Sequence, residues 1–332
     1  VLKPKVLATR VIPDSGLEIV TRECDAVIWS EEIPMPRSNL LESVRGIDGL
    51  LSQLSDNIDA QIMESAGLQL KVISNYAVGF DNIDLAEATR RGIFVANTPD
   101  VLTETTADLA FALLLAGARR LSEGIDYVRA GKWLTWGPKL LLGYDVYGAT
   151  LGIVGLGRIG RAVARRSRGF DMRVIFYDPE AVISAEEAKW MRPAANLDQL
   201  LSESDFVTLH TPLTSDSDRL IGEAALAKMK STAVLINTSR GRVVDTEALY
   251  CALQAGRIAY AALDVTDPEP LPSDHKLLGL PNCIVIPHIG SASVATRNRM
   301  AVMAAENLLA GVRGQRPKYL VNAAVNVERA GD

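Results

Sequence analysis

Short apolar runs rich in β-branched residues recur along the first third of the chain, at Lys5–Thr9, Ala26–Trp29, Gly49–Gln53, Leu70–Ser74 and Ile93–Ala96. Helix-like segments such as Asn57–Ala66 separate them. A second series follows at Leu151–Val154, Val174–Tyr177, Phe206–Leu209, Ala233–Asn237, Ala259–Val265 and Cys283–Ile286. Continuous apolar runs of this length, alternating with helical stretches, predict parallel strands covered on both faces and hence two doubly wound α/β units. Thr105–Ala118 is apolar on nearly every face and predicts a helix buried between two domains. Val294–Gly311 gathers Ala301, Ala304, Ala305 and Leu308 on one face and predicts a closely packed helix, followed by a polar tail, Arg313–Asp332.

Thr98-Pro99-Asp100 breaks the chain between the two series, and Ile289-Gly290-Ser291 leads from the second series into the last helix. If the last helix returns to the first block, the second block is an insertion: residues 1–99 with 290–332 form one domain and 100–289 the other. Two crossings would then make a hinge with a cleft beside it.

The second series of strands opens on TLGIVGLGRIGRAVARR, where Gly155, Gly157 and Gly160 stand in GxGxxG spacing between a strand and a helix start. Gly155 permits the tight bend, Gly157 lets a pyrophosphate approach the backbone, and Gly160 lets helix and strand pack closely. The next apolar run ends in Asp178, eighteen residues beyond Gly160. A carboxylate there can accept hydrogen bonds from both adenosine ribose hydroxyls, whereas a 2′-phosphate would meet like charge. This favours NAD(H); Arg158 or Arg173 could still reach a phosphate, so NADP(H) is disfavoured without being excluded. Asp178 also precedes Pro179, and capping a turn there is its plainer role.

The chain has 332 residues, 48% of them apolar, which suffices for two cores. A net charge of −5 without a long basic block speaks against a nucleic-acid partner. Cys24, Cys251 and Cys283 show no paired spacing, so neither a disulfide framework nor a metal site is expected, and a cytoplasmic setting fits. The longest apolar stretch, Leu109–Ala116, is too short to span a bilayer, and the opening residues read as a strand.

Three segments follow apolar strands and carry reactive side chains: NTSRG with Arg240, ALDVTDPEP with Asp264 and Glu269, and PHIGSA with His288. In an open parallel sheet ligands gather at the carboxyl ends of strands, so these groups are expected on the side of the glycine turn. Reducing a 2-oxo acid needs a cation for the carboxylate or carbonyl oxygen, an acid for the nascent alkoxide and a partner for that acid. Arg240, His288 and Glu269 match those roles; alone, each would read as a salt-bridge residue, a structural histidine and a solvated loop carboxylate. Asn75–Asp81 follows a first-block strand and could form an anion-binding nest or a plain turn.

With these residues assembled, the chain resembles the D-isomer-specific 2-hydroxyacid dehydrogenases, most of all their glyoxylate/hydroxypyruvate reductases. NYAVGFDNID, TPDVLTETTADLAFALLL, GIVGLGRIGRAVA, SDFVTLHTPLT, INTSRGRVVD, ALDVTDPEPLP and IPHIGSAS look like that family's signature segments, in its order, over nearly the whole chain. The resemblance implies a Rossmann dinucleotide-binding domain inserted into a flavodoxin-like substrate-binding domain. It implies His288 as proton donor, Glu269 as its partner and Arg240 as the substrate-orienting cation. The amides of Val78 and Gly79 would bind the substrate carboxylate. Thr106 and Asp264 would lie near the nicotinamide, Leu156 to Ile159 at the pyrophosphate, and Thr238, Ser239 and Gly290 along the cofactor. His210 and Pro212 would lie on its adenosine side. Trp136 resembles an aromatic that some glyoxylate reductases donate to a neighbouring subunit's pocket, implying a homodimer; burial in the dimer interface is the alternative. Leu54, Trp136 and Met300 would set pocket size. Another D-2-hydroxyacid dehydrogenase of the same family, or a corepressor-like NAD-sensing binding module that shares the pattern, remains the alternative to a glyoxylate/hydroxypyruvate reductase.

Overall fold

The computed structural model describes residues 2–325. In chain order it contains β1 (Lys5–Ala8), α1 (Asp14–Glu23), β2 (Asp25–Ile28), α2 (Arg37–Ser43), β3 (Gly49–Ser52), α3 (Ala60–Ala66), β4 (Val72–Asn75), α4 (Leu85–Arg90) and β5 (Phe94–Ala96). Next come α5 (Thr103–Ala118), α6 (Leu121–Arg129), β6 (Thr150–Val154), α7 (Arg158–Ser167), β7 (Arg173–Tyr177), β8 (Met191–Pro193), α8 (Leu197–Glu203) and β9 (Phe206–Leu209). The chain continues through α9 (Glu223–Lys228), β10 (Val234–Asn237), α10 (Thr246–Gln254), β11 (Tyr260–Leu263), β12 (Cys283–Val285) and α11 (Val294–Val312). Several helix starts are fixed by local chemistry: Asp59, Asp84, Asn196, Asp245 and Ser293 each cap a helix by accepting the backbone N–H three residues on.

The chain divides into two compact units, one running up to Leu102 and resuming at Ala292, the other Thr103–Ser291. The first unit holds a five-stranded sheet of order β2-β1-β3-β4-β5, all pairs parallel. The second holds seven parallel strands in the order β12-β11-β10-β9-β6-β7-β8. Counted within each unit, these are the flavodoxin-like and the Rossmann orders, with the reversal of strand order beside β1 and beside β6. Each sheet carries a hydrophobic cluster on both faces, which explains why its central strands read as unbroken apolar runs.

Several expectations shift. The edge strand β8 gave no signal, being three residues long with Arg192 and Pro193 exposed. Helix α5 packs on its own unit: Ala107, Ala110, Phe111 and Leu114 sit in the second unit's core, against α7, β10 and β11. The polar tail is partly docked, since Leu320 bridges Ala96 and the Val321 amide donates to Val95 O at 2.7 Å. Its last residues, Asn326–Asp332, lie outside the described residues. Met300 is 2% exposed and buried in the core of the first unit. The small residues of α11 do allow close approach: a Cβ on Gly16 of α1 would stand 2.4 Å from Ala301 O.

Candidate active site

In the second unit the glycine turn is closed on the protein side and open on the other. Gly155 has φ +89°, and a Cβ there would fall 2.8 Å from the His210 carbonyl carbon. A Cβ on Gly160 would lie 2.2 Å from Gly155 O, whereas one on Gly157 would meet nothing within 4 Å. Gly157 also caps α7 without any side-chain hydrogen bond, so the helix start is left to an anion. Leu156 is buried and its amide is taken by Asp178, while Ile159 packs its side chain against the core, which leaves only the backbone of Ile159 to a pyrophosphate. Asp178, just past β7, accepts the Leu156 amide at 2.8 Å and the Glu180 amide at 3.0 Å. It is therefore both a brace of the glycine turn and a turn cap, and each oxygen keeps acceptor capacity for a ribose hydroxyl.

Two buried polar atoms without a hydrogen-bond partner follow the carboxyl ends of β9 and β10: His210 Nδ1 and Thr238 Oγ1. The other His210 nitrogen meets Thr208 Oγ1 at 2.9 Å, and burial pushes the imidazole pKa down to about 3, so the ring is neutral. Pro212, in contrast, is exposed and accepts the Ser217 hydroxyl at 2.6 Å. Orphaned polar atoms beside an open glycine turn fit a polar dinucleotide at this end of the sheet.

The remaining groups gather after β10, β11 and β12. Asp264 is 1% exposed; its carboxylate accepts the amides of Ile289 at 2.6 Å and Gly290 at 2.8 Å. Its carbonyl accepts the His288 amide at 2.9 Å. Burial raises the Asp264 pKa against these hydrogen bonds. Three bonds from one residue thus hold the His288–Gly290 loop, in which His288 adopts the left-handed φ of +51°. His288 Nδ1 meets Glu269 Oε1 at 2.6 Å, so Nδ1 donates to the carboxylate and Nε2 is the nitrogen left for chemistry. A Cβ on Gly290 would lie 3.0 Å from Asp264 Oδ2 and 3.4 Å from Thr106 Cγ2, which brings Thr106, Asp264 and Gly290 together.

Arg240 lies three residues past β10, its Nη1 donating to Ser239 O at 2.9 Å. The turn that carries it is set by Asn237, which accepts the Ser239 amide at 3.0 Å and hydroxyl at 2.8 Å and donates to Arg240 O at 2.9 Å. Asn237 was not singled out from the sequence; its only signal is its place as the last strand residue before Thr238-Ser239-Arg240. Trp136 is 78% exposed on the stretch between α6 and β6. In the first unit, Val78 and Gly79 are half-buried in the loop after β4, and Leu54 is exposed two residues past β3.

A cavity of about 660 Å³ lined by Arg168, Arg173, Trp190 and Met191 sits at the amino ends of β6 and β7, the opposite end of that sheet from the glycine turn. Among the described residues no three His, Cys, Asp or Glu side chains are grouped to hold a metal, and no helix is long and apolar enough to cross a membrane.

This fold and site define a nicotinamide dinucleotide-dependent dehydrogenase scaffold. Residues 111–290 match the model for the D-isomer specific 2-hydroxyacid dehydrogenase NAD binding domain. The chain belongs to the D-isomer-specific 2-hydroxyacid dehydrogenase family. It is 53% identical over 325 residues to the glyoxylate reductase of Korarchaeum cryptofilum, covering 98% of this chain and 97% of that one. Identity to the glyoxylate reductase of Pyrococcus furiosus is 49% over 330 residues, covering 98% and 97% of the two chains. Among solved structures, the TT0316 protein of Thermus thermophilus superposes with a TM-score of 0.89 at 48% identity, covering 96% of this chain and 99% of that one. The NADPH-dependent glyoxylate/hydroxypyruvate reductase of Sinorhizobium meliloti, solved with NADP and malonate, gives 0.85 at 31% identity over 99% of both chains.

Proposed function

We propose that this protein reduces small 2-oxo acids, glyoxylate to glycolate and hydroxypyruvate to D-glycerate, with NADH preferred over NADPH. When bound, the reduced dinucleotide supplies the hydride. His288 gives the proton to the carbonyl oxygen from Nε2, and Glu269 holds the ring and balances the charge it carries while protonated. Arg240 orients the oxo acid through its planar guanidinium. Val78 and Gly79 bind the substrate carboxylate through their amides. Residues 100–289 serve as the dinucleotide-binding domain and residues 1–99 with 290–332 as the substrate domain.

The observation that carries the reading is the 2.6 Å His288–Glu269 pair on a loop bracketed by Asp264, at the sheet end where the glycine turn also lies. The NADH preference rests on the carboxylate of Asp178 beside the glycine turn. The experiment is to follow the absorbance of the reduced nicotinamide with glyoxylate, hydroxypyruvate and pyruvate, each with NADH and with NADPH. Turnover with none of them would overturn the assignment, and equal kcat/KM for both cofactors would overturn the preference. His288→Ala should lower kcat by about two to four orders of magnitude; an intact kcat would remove His288 as the acid.

A homodimer belongs to this reading, and exposed apolar residues of the second unit support it. Helix α6 has no buried residue, and Leu121, Ile125 and Val128, at helical spacing, are each about half exposed. Trp133, Leu134, Trp136 and Leu142 extend the exposed apolar surface.

A further inference from the structure

The N–H and C=O of a trans peptide unit point in opposite directions, so whatever holds the carbonyl aims the amide. In the loop after β4 three consecutive carbonyls are held. Ala77 O accepts the Thr98 amide at 2.9 Å, Val78 O accepts Asn97 Nδ2 at 2.7 Å, and Gly79 O accepts Asn75 Nδ2 at 2.9 Å. The three donors stand at the carboxyl ends of the neighbouring strands β4 and β5. They draw the carbonyls to one side and turn the amides of Val78, Gly79 and Phe80 to the other. Those three amides donate to no other group among the described residues.

The two asparagines are themselves fixed. Asn82 Nδ2 donates to the carbonyls of Gln53 at 3.0 Å and Asp56 at 2.9 Å, which leaves its Oδ1 to accept Asn75 Nδ2 at 3.0 Å. Ser52 donates its hydroxyl to Asn75 Oδ1 at 2.9 Å, and flipping the Asn75 amide would set its oxygen against Asn82 Oδ1 and Gly79 O. Asn97 is pinned through its backbone, its amide donating to Tyr319 O at 3.2 Å and its carbonyl accepting Asn307 Nδ2 at 2.9 Å. Two polar atoms of the same unit, Gln53 Nε2 and Thr98 Oγ1, are buried without a partner just past β3 and β5, the sheet end that carries this loop. A purely structural network would have satisfied them.

We infer that Asn75 and Asn97 are positioning residues for the substrate carboxylate. They hold the peptide planes so that Val78, Gly79 and Phe80 form a three-donor nest, with Phe80 the third amide. The inference rests on reading Val78 and Gly79 as the carboxylate loop.

The test compares Asn75→Ala, Asn97→Ala and Asn97→Asp, the last keeping the shape while setting an acceptor against Val78 O. Each variant should raise KM for glyoxylate and Ki for oxamate, a carboxylate analogue with no reducible ketone, by about tenfold or more. kcat and KM for NADH should stay within about threefold. A folded variant with unchanged KM and Ki would overturn the inference, and so would a parallel loss in kcat and NADH binding, the signature of a structural role. Where an alanine variant does not fold, protein labelled with ¹⁵N-phenylalanine, which has six such residues, gives the second readout. Oxamate added with NAD⁺ should move the Phe80 amide resonance downfield, and an unmoved resonance would overturn the nest. Gly79→Pro separates the two levels by removing an amide outright. A raised glyoxylate KM there with normal asparagine variants would overturn only the inference, whereas an unchanged KM would overturn the carboxylate loop itself.

Discussion

A left-handed backbone at a non-glycine residue costs on the order of 1–3 kcal/mol and persists only where its surroundings over-determine it. At His288 the surroundings are the three hydrogen bonds of Asp264. Asp264→Asn keeps the volume but sets an N–H donor against one of the two loop amides, so kcat should fall by about tenfold as the imidazole loses its aim. A steady-state kcat within twofold of the parent would show the bracket to be dispensable. His210 supplies a test in pH. Its folded pKa of about 3 lies below the ordinary 6.5, so below pH 6.5 the unfolded chain takes up a proton that the native state does not, and stability falls with pH. His210→Gln should therefore lose less stability between pH 7 and 5, by roughly 1–2 kcal/mol in denaturant titrations. Equal losses in both proteins would mean that the ring protonates in the fold. At this scale the charged and titratable candidates could be picked from sequence because their residue types limit their chemistry. Asn75, Asn97 and Asn237 could not, because an asparagine becomes informative only when the carbonyl it holds is known.

Elements were legible where burial on both faces produced an unbroken apolar run, as in β6, β9 and β10. They were illegible where an edge strand needed no such run, as in β8. The glycine turn was legible because steric demands write themselves into sequence: no side chain fits at Gly160, 2.2 Å from a carbonyl oxygen. Gly160→Ala should push α7 away from β6 and weaken dinucleotide binding by about tenfold or more. Titration of NADH by its fluorescence measures this, and an unchanged Kd would show that the turn tolerates the displacement. Helix α5 shows the opposite case. Its all-round apolar character predicted burial correctly but not the surface that buries it, since composition does not name a neighbour.

For the whole molecule, the exposed apolar side chains of α6 and the stretch after it are a surface that a single chain leaves uncovered. Ile125→Asp places a charge in the middle of the helix stripe and should convert a homodimer to monomer in light scattering coupled to size exclusion. A dimer that survives the change would locate the interface elsewhere. Sequence by itself determined the doubly wound architecture and the family, because strand burial, glycine sterics and the order of motifs are local properties of the chain. It also determined which residue types could carry acid, cation and anion-binding roles. Only the tertiary structure decided that Asp264 brackets the histidine loop, that Met300 belongs to the core, and that the residues after α11 dock against β5. It alone showed three carbonyls turned onto Asn75, Asn97 and Thr98. The reason is physical: hydrogen-bond direction and close packing join residues far apart in the chain, and no local pattern encodes which partner a polar group will meet.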